Sequence, residues 1–287
     1  MSEHLTKVAF TNLDKILYPK LKITKAQVIQ YYIKIAPRML PLLDKRPVVM
    51  TRFPDGIDRE GFYEKDAPLG TPPWVSTLKT YSDSAQRELN YILCNDLDTL
   101  VLLANLAALE IHMTLSRAGS FENPDIVLFD LDPEPPATYE NTAETALLLK
   151  QILEDLSLKS FVKTSGLKGL HVVIPIVDGY TFQQTRDFVH QIAKRLAKES
   201  KIVVSEYTES KKPGTIFIDY RQNSHGRTMI CPYSLRATQT ATVSMPLEWN
   251  DLKKRLKPEE FNLFNTAKIE ATPWEGLFEN RQHLEVK

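Results

Sequence analysis

The sequence predicts an α+β protein organised around one β-α-β-β-α-β unit, and three observations predict it. From residue 125 onward, short apolar runs alternate with helical periodicities in the order strand, helix, strand, strand, helix, then two further strands. The first run, Asp125-Ile126-Val127-Leu128-Phe129-Asp130-Leu131-Asp132-Pro133, reads as a buried strand that ends in two carboxylates one residue apart. Composition agrees: 43% hydrophobic and 25% charged residues over 287 positions leave ample core for one large domain or two small ones.

The first residues, Met-Ser-Glu-His-Leu-Thr-Lys, hold no apolar run that would act as a signal peptide. The longest apolar stretch, near residues 100–109, is too short to span a bilayer, so no membrane partner is expected. Cys94 and Cys231 are isolated, which argues against a disulfide framework or zinc knuckle and fits a reducing cytoplasm. Net charge is zero, yet residues 1–50 carry nine Lys or Arg against three acids. A basic N-terminal lobe suits a phosphate-backbone ligand, although solvated helix faces account for some of those lysines.

In chain order, Thr24-Lys25-Ala26-Gln27 is a capping box, and Val28, Tyr31, Tyr32 and Ile35 repeat at helical spacing behind it. Lys25 therefore lies in the first turn of a helix, where free amides and the helix dipole favour an anion. Lys15 lies ten residues upstream; both lysines also read as plain surface residues. Residues 46–53 read as a strand closed by the Pro54-Asp55-Gly56 turn. Phe62 and Tyr63 point to opposite faces if extended, one toward the core and the other free to stack on a base. A helix is expected near residues 95–109, capped by Asn95 or Asp96, leading into a strand at Glu110-Ile111-His112.

The central unit follows. After the strand at 125–131 come a helix near 142–157, strands at 160–164 and 170–176, and a helix near 182–199 opened by the capping box Thr181-Phe182-Gln183-Gln184. A hairpin of 201–206 and 214–220, joined by Lys-Lys-Pro-Gly, is expected to complete the split ferredoxin-like plan shared with RNA-recognition folds. The first and third strands are then antiparallel neighbours, and His171 starts where Asp130 and Asp132 end. On an extended chain these two carboxylates share a face, an arrangement that suits a hard divalent ion such as Mg²⁺ or Mn²⁺ and otherwise reads as a solvated acidic turn. The intervening Ser165-Gly166-Leu167-Lys168-Gly169 turn has glycines that allow backbone approach to phosphate. Asp219 ends a second apolar strand and can join the pair, Arg236 offers a further cation, and residues 247–287 read as amphipathic helices.

Taken together, Leu13-Asp14-Lys15, Ile23-Thr24-Lys25, Gly61-Phe62, Glu110-Ile111-His112, Asp130-Leu131-Asp132-Pro133, Ser165 to His171, Asp219-Tyr220 and Pro232 to Arg236 resemble one family across nearly the whole chain. It is the polymerase domain of bacterial ligase D, in the archaeo-eukaryotic primase superfamily, which serves non-homologous end joining. The resemblance implies a primase-like α+β fold in a single catalytic domain, with an N-terminal DNA-end-binding lobe (1–120), a catalytic lobe (121–246) and C-terminal helices (247–287). It implies that Asp130, Asp132 and Asp219 hold two Mn²⁺ or Mg²⁺ ions. Ser165, Lys168 and His171 would contact the triphosphate of an incoming nucleotide, with Arg236 nearby and His112 beside metal and nucleotide. Lys15 and Lys25 would grip the 5′-phosphate of a DNA end or gap, and Phe62 would stack on the template.

Implied with these are ribonucleotide preference, Ku and a DNA ligase as partners, and a cytoplasmic, nucleoid-associated location. Two positions depart from the family's pattern: Gln222 and Thr238 stand where arginine is often found, so contacts to the triphosphate from that side are expected to be fewer. The family's domain is often fused to nuclease and ligase modules for which this chain has no room, so an excised domain or a stand-alone subunit is expected. Two other readings remain open at the level of sequence. One is a phosphohydrolase with Asp130 as nucleophile, and the other a non-catalytic module that binds 5′-phosphorylated ends.

Overall fold

The computed structural model describes residues 7–82, 85–254 and 257–284. Contacts divide the chain into two compact units that are not contiguous in sequence. The first comprises Met1–Thr114, Ile230–Val243 and Asn262–Glu270, and the second Leu115–Met229, Ser244–Phe261 and Ala271–Lys287. Among the described residues no helix is long and apolar enough to cross a membrane.

In the first unit, β1 (Ile16–Tyr18) pairs antiparallel with β2 (Ile23–Thr24), and Thr24 caps α1 (Lys25–Leu43) through the expected box with Gln27. Val28, Tyr31, Tyr32, Ile35 and Met39 of α1 are buried, as its 3.6-residue period requires. Next come β3 (Pro47–Arg52), β4 (Phe62–Glu64), β5 (Thr77–Ser82) and β6 (Arg87–Leu93). The helix α2 (Leu97–Asn105), capped by Asp96, leads into β7 (Ala108–Thr114). These strands form an antiparallel sheet in the order β7-β3-β6-β5, with β4 also pairing β3.

The second unit carries the β-α-β-β-α-β plan as β8 (Ile126–Pro133), α3 (Tyr139–Asp155), β9 (Phe161–Thr164), β10 (Leu170–Pro175), α4 (Phe182–Glu199), β11 (Val203–Val204) and β12 (Ile216–Ile218). A short β13 (Thr228–Ile230) follows where the chain re-enters the first unit, and β14 (Pro246–Leu247) adds an edge. The sheet order is β11-β12-β8-β10-β9-β14, whose middle four strands are the ferredoxin-like arrangement. Phe188 of α4 packs edge-on against Phe129 of β8, so by strand alternation Asp130 and Asp132 occupy the opposite face. Phe188, Val189, Ile192, Ala193 and Leu196 make the buried stripe of α4, and truncating Leu196 to Ala would cost about 2–5 kcal/mol.

Two expectations are corrected. β11 and β12 are parallel neighbours rather than a hairpin, with Val203 opposite Ile216 and Val204 opposite Phe217. The Lys-Lys-Pro-Gly segment does turn, but a turn signal does not say whether the flanking strands pair across it, and residues 205–215 are long enough for a crossover. The tail, expected to be helical, forms no α-helix among its described residues; its helical pieces are 3₁₀ turns at Trp249–Lys254, Pro258–Glu260, Thr266–Lys268 and Leu277–Glu279. Prolines at 246, 258 and 273 interrupt longer helices. Its tryptophans act as anchors instead, with the Trp249 indole donating to Ser160 O at 2.9 Å and that of Trp274 to Val162 O at 3.0 Å.

Candidate active site

Sheet register gathers the catalytic candidates of the second unit. β8 runs antiparallel to β10 with His171 opposite Asp130, and β12 flanks β8 on its other side with Phe217 opposite Asp132 and Ile218 opposite Leu131. The Asp219 amide continues that register by donating to Asp130 O at 2.9 Å. Residues directly opposite in antiparallel strands share a face, so Asp219, Asp130 and His171 form one row across three strands. β9 extends the row with Lys163, opposite His171. His171 Nε2 lies 3.2 Å from Asp130 Oδ1. Lys163 is fully buried, its ammonium donating to Ser244 Oγ at 2.6 Å.

Asp132, two residues beyond Asp130 on the same face, bears the electrostatic cost. Burial, then the neighbouring Asp130 charge, with Asp219 adding to both, push its carboxyl up to about 7 against the opposing pull of His171 and Lys168. Asp130 and Asp219 thus lie close enough to Asp132 to disfavour its ionisation, a condition a divalent cation relieves.

The turn at 165–169 closes over the end of β8. Ser165 Oγ accepts from the amides of Leu167 and Gly169, each at 3.2 Å, and Gly166 takes a φ of +76° that only glycine adopts readily. A Cβ at Gly169 would stand 2.6 Å from Leu131 O, so this position needs glycine for close backbone packing on β8. The arrangement leaves Lys168 exposed, with its charge felt at Asp132.

Asp219 is 7% exposed and heavily engaged. Its Oδ1 accepts from Arg221 N at 3.1 Å and Arg221 Nε at 3.0 Å, and its Oδ2 from Arg221 Nη2 at 3.2 Å. Asn223, fully buried, locks this turn onto β8 by bonding both the amide and the carbonyl of Leu128, at 2.9 and 2.7 Å. In this arrangement no three His, Cys, Asp or Glu side chains among the described residues converge closely enough to hold an ion.

The remaining candidates belong to the first unit. Lys15 is ion-paired with Asp55 at 2.7 Å, and that ammonium holds the Asp55 carboxyl below its usual range. Lys25 is only 5% exposed, and its Nζ donates to Thr11 O at 2.7 Å and Asn105 O at 2.9 Å. Burial, and next the Lys15 charge, lower its pKa, so the two ammoniums feel each other. Phe62 and Tyr63 are both exposed, 44% and 51%, where one was expected in the core. β4 runs along the edge of the sheet, where both its faces remain open. Phe62 lies under the Arg52 guanidinium, which also pairs with Glu64 at 2.8 Å, and Tyr63 meets His112 edge-on at 5.8 Å.

His112 and Arg236 converge on one carboxylate, that of Glu110. Arg236 Nε lies 3.1 Å from Glu110 Oε1, and His112 Nε2 lies 3.5 Å from Oε2. Burial raises the Glu110 carboxyl, but His112, Arg236 and the Ala237 amide outweigh it and hold the group below its normal range. Sequence reasoning assigned no role to Glu110, Lys163, Arg221 or Asn223. The one-residue spacing of Glu110 and His112 was the only local signal among these, since it puts both on one strand face.

The profile of the LigD primase-polymerase domain matches residues 24–274. The chain belongs to this family. Among relatives of this LigD polymerase domain, the bifunctional non-homologous end joining protein LigD of Bacillus subtilis is 32% identical over 281 residues, which is 96% of this chain and 45% of that protein. The multifunctional LigD of Mycolicibacterium smegmatis is 33% identical over 87% of this chain and 33% of its own length. The chain therefore spans less than half of each of these relatives. The polymerase domain of Mycobacterium tuberculosis ligase D, solved in complex with DNA, superposes with a TM-score of 0.88 at 31% identity, covering 96% of this chain and all of that one.

Proposed function

We propose that this LigD polymerase domain is a template-directed nucleotidyltransferase that fills gaps and extends DNA ends with nucleotides during non-homologous end joining. The observation that carries the reading is the carboxylate row, in which Asp132 is pushed to about 7 by burial and by the charges of Asp130 and Asp219. An all-oxygen, over-charged donor set fits Mn²⁺ or Mg²⁺, and Asp130, Asp132 and Asp219 would hold two such ions. When bound, these ions supply activation of a primer hydroxyl and stabilisation of the pyrophosphate leaving group.

The chain's own residues do the rest. Ser165 keeps the 165–169 turn closed, Lys168 presents an exposed ammonium, and His171 sits against Asp130; together they make a cradle for a triphosphate. In the first unit, Glu110 holds His112 and Arg236 together, a pair of nitrogen donors suited to phosphate oxygens. Lys15 and Lys25, the first near enough to lower the pKa of the second, form the expected grip on a downstream 5′-phosphate. Phe62 is positioned to stack on a template base. Ku and a DNA ligase are the partners this role requires, in a bacterial cytoplasm at the nucleoid.

The test is primer extension on a short gapped duplex whose downstream strand carries a 5′-phosphate, with ribo- or deoxyribonucleotides and Mn²⁺ or Mg²⁺. Templated addition that disappears in Asp130→Ala is the expected result. No addition with either metal while DNA still binds would leave an end-binding module instead.

A further inference from the structure

We propose that Arg221 is an internal counter-cation that keeps Asp219 out of the ion site until a divalent cation displaces it. The proposal rests on the metal-site reading above. Asp219 accepts from Arg221 N, Nε and Nη2 at 3.0–3.2 Å and from Gln222 Nε2 at 3.4 Å. A carboxylate has about four lone-pair sites, so these donors occupy what an ion would need. The fork is also braced from behind: the Arg221 guanidinium carbon lies 3.3 Å from the Tyr207 ring centroid and 5.8 Å from that of Phe217. A planar guanidinium stacked on an aromatic ring and paired bidentately with a carboxylate is a pre-organised contact that a lysine does not reproduce.

The three acids therefore start from different states. Asp132 shares a strand face with Asp130, whereas Asp219 is paired with a cation of its own. Asp130 and Asp132 would hold a divalent ion together with Asp219 only once Asp219 is released from Arg221. The geometry accounts for three acids gathered at one end of a sheet without three ligands converging among the described residues. Arg221 thereby sets the cation concentration at which the site assembles, acting as a positioning residue through Asp219.

Mn²⁺ binding to the full chain, without DNA or nucleotide, tests this through the spin-resonance signal of free Mn²⁺. Arg221→Met keeps the stem over Tyr207 and removes the charge; it is expected to tighten Mn²⁺ binding by about tenfold, the scale of a lost bidentate charge-assisted pair. Arg221→Lys should fall between this variant and the parent, and it carries the test if the methionine variant does not fold. Asp219→Asn should weaken binding. Unchanged or weaker affinity in both Arg221 variants, with Asp219→Asn still weakened, would overturn the counter-cation and leave the metal site standing. An Asp219→Asn variant that binds Mn²⁺ like the parent would remove Asp219 from the site, and the proposal with it.

Discussion

Lys15 and Lys25 in the first unit, and Asp130, Asp132 and Asp219 in the second, are both clusters of like charge, but they are built differently. The lysines are positioned by segments far apart in sequence. The turn around Asp55 is held to β1 through the Ile57 amide on Leu17 O at 2.9 Å, and Lys25 is tied to carbonyls of Thr11 and Asn105. Each lysine has a partner in hand, and the Lys15–Asp55 pair is exposed and readily exchanged. The acids are placed by register within one sheet, and the pull of His171 and Lys168 on Asp132 is outweighed by burial and the Asp130 charge. The first cluster thus combines one exposed ion pair with one buried ammonium held by backbone carbonyls, while the second sets its charges side by side on a rigid frame.

The largest expected effect breaks the second cluster. Asp132→Ala should reduce metal-dependent extension by about three orders of magnitude while DNA binding, read by gel shift, stays near the parent level. Retained extension would take the Asp pair out of the ion site. The lysines should separate next. Lys25→Ala strips a buried donor from two carbonyls and is expected to lower stability by about 1–3 kcal/mol as well as the preference for 5′-phosphate over 5′-hydroxyl gaps. Lys15→Ala should lose that preference with an unchanged melting temperature; equal losses on both gap types would dissolve the phosphate grip.

Gly169→Ala sharpens the frame side of the contrast. Its new methyl would press on Leu131 O, costing about 1–3 kcal/mol and lifting the turn off β8, so melting temperature and nucleotide affinity should fall together. A further effect is in pH. The Asp132 carboxyl is near 7 when folded and about 3.9 when unfolded, so the folded chain binds the extra proton between those values. Stability of the ion-free protein should therefore decline as pH rises from about 4 to about 7, and Asp132→Asn should flatten that slope in a melting series. An unchanged slope would mean that Asp132 carries no such strain.

Local patterns made much of this molecule legible in advance. The boxes at Thr24 and Thr181 do cap α1 and α4, and the alternation from Asp125 to Pro133 does produce a buried strand with its acids on one face. Those features rest on contacts within a few residues, which a sequence records directly. Lys25 shows where such reading stops: its place in a first helical turn was evident, but not its burial, because the carbonyl of Asn105 comes from a segment eighty residues away. The parallel setting of β11 and β12 was hidden for the same reason, since a turn signal is silent about what lies on either side.

The sequence by itself determined the family, the central β-α-β-β-α-β order and which acids, lysines and aromatics are the candidates for the site, because motif spacing and periodicity are properties of the chain. Only the tertiary structure decided how those groups are charged and held. It set Asp132 near 7, seated His112 and Arg236 on Glu110, and gave Asp219 to Arg221. Such outcomes depend on burial and on distances between strands, quantities that exist only once the chain has folded.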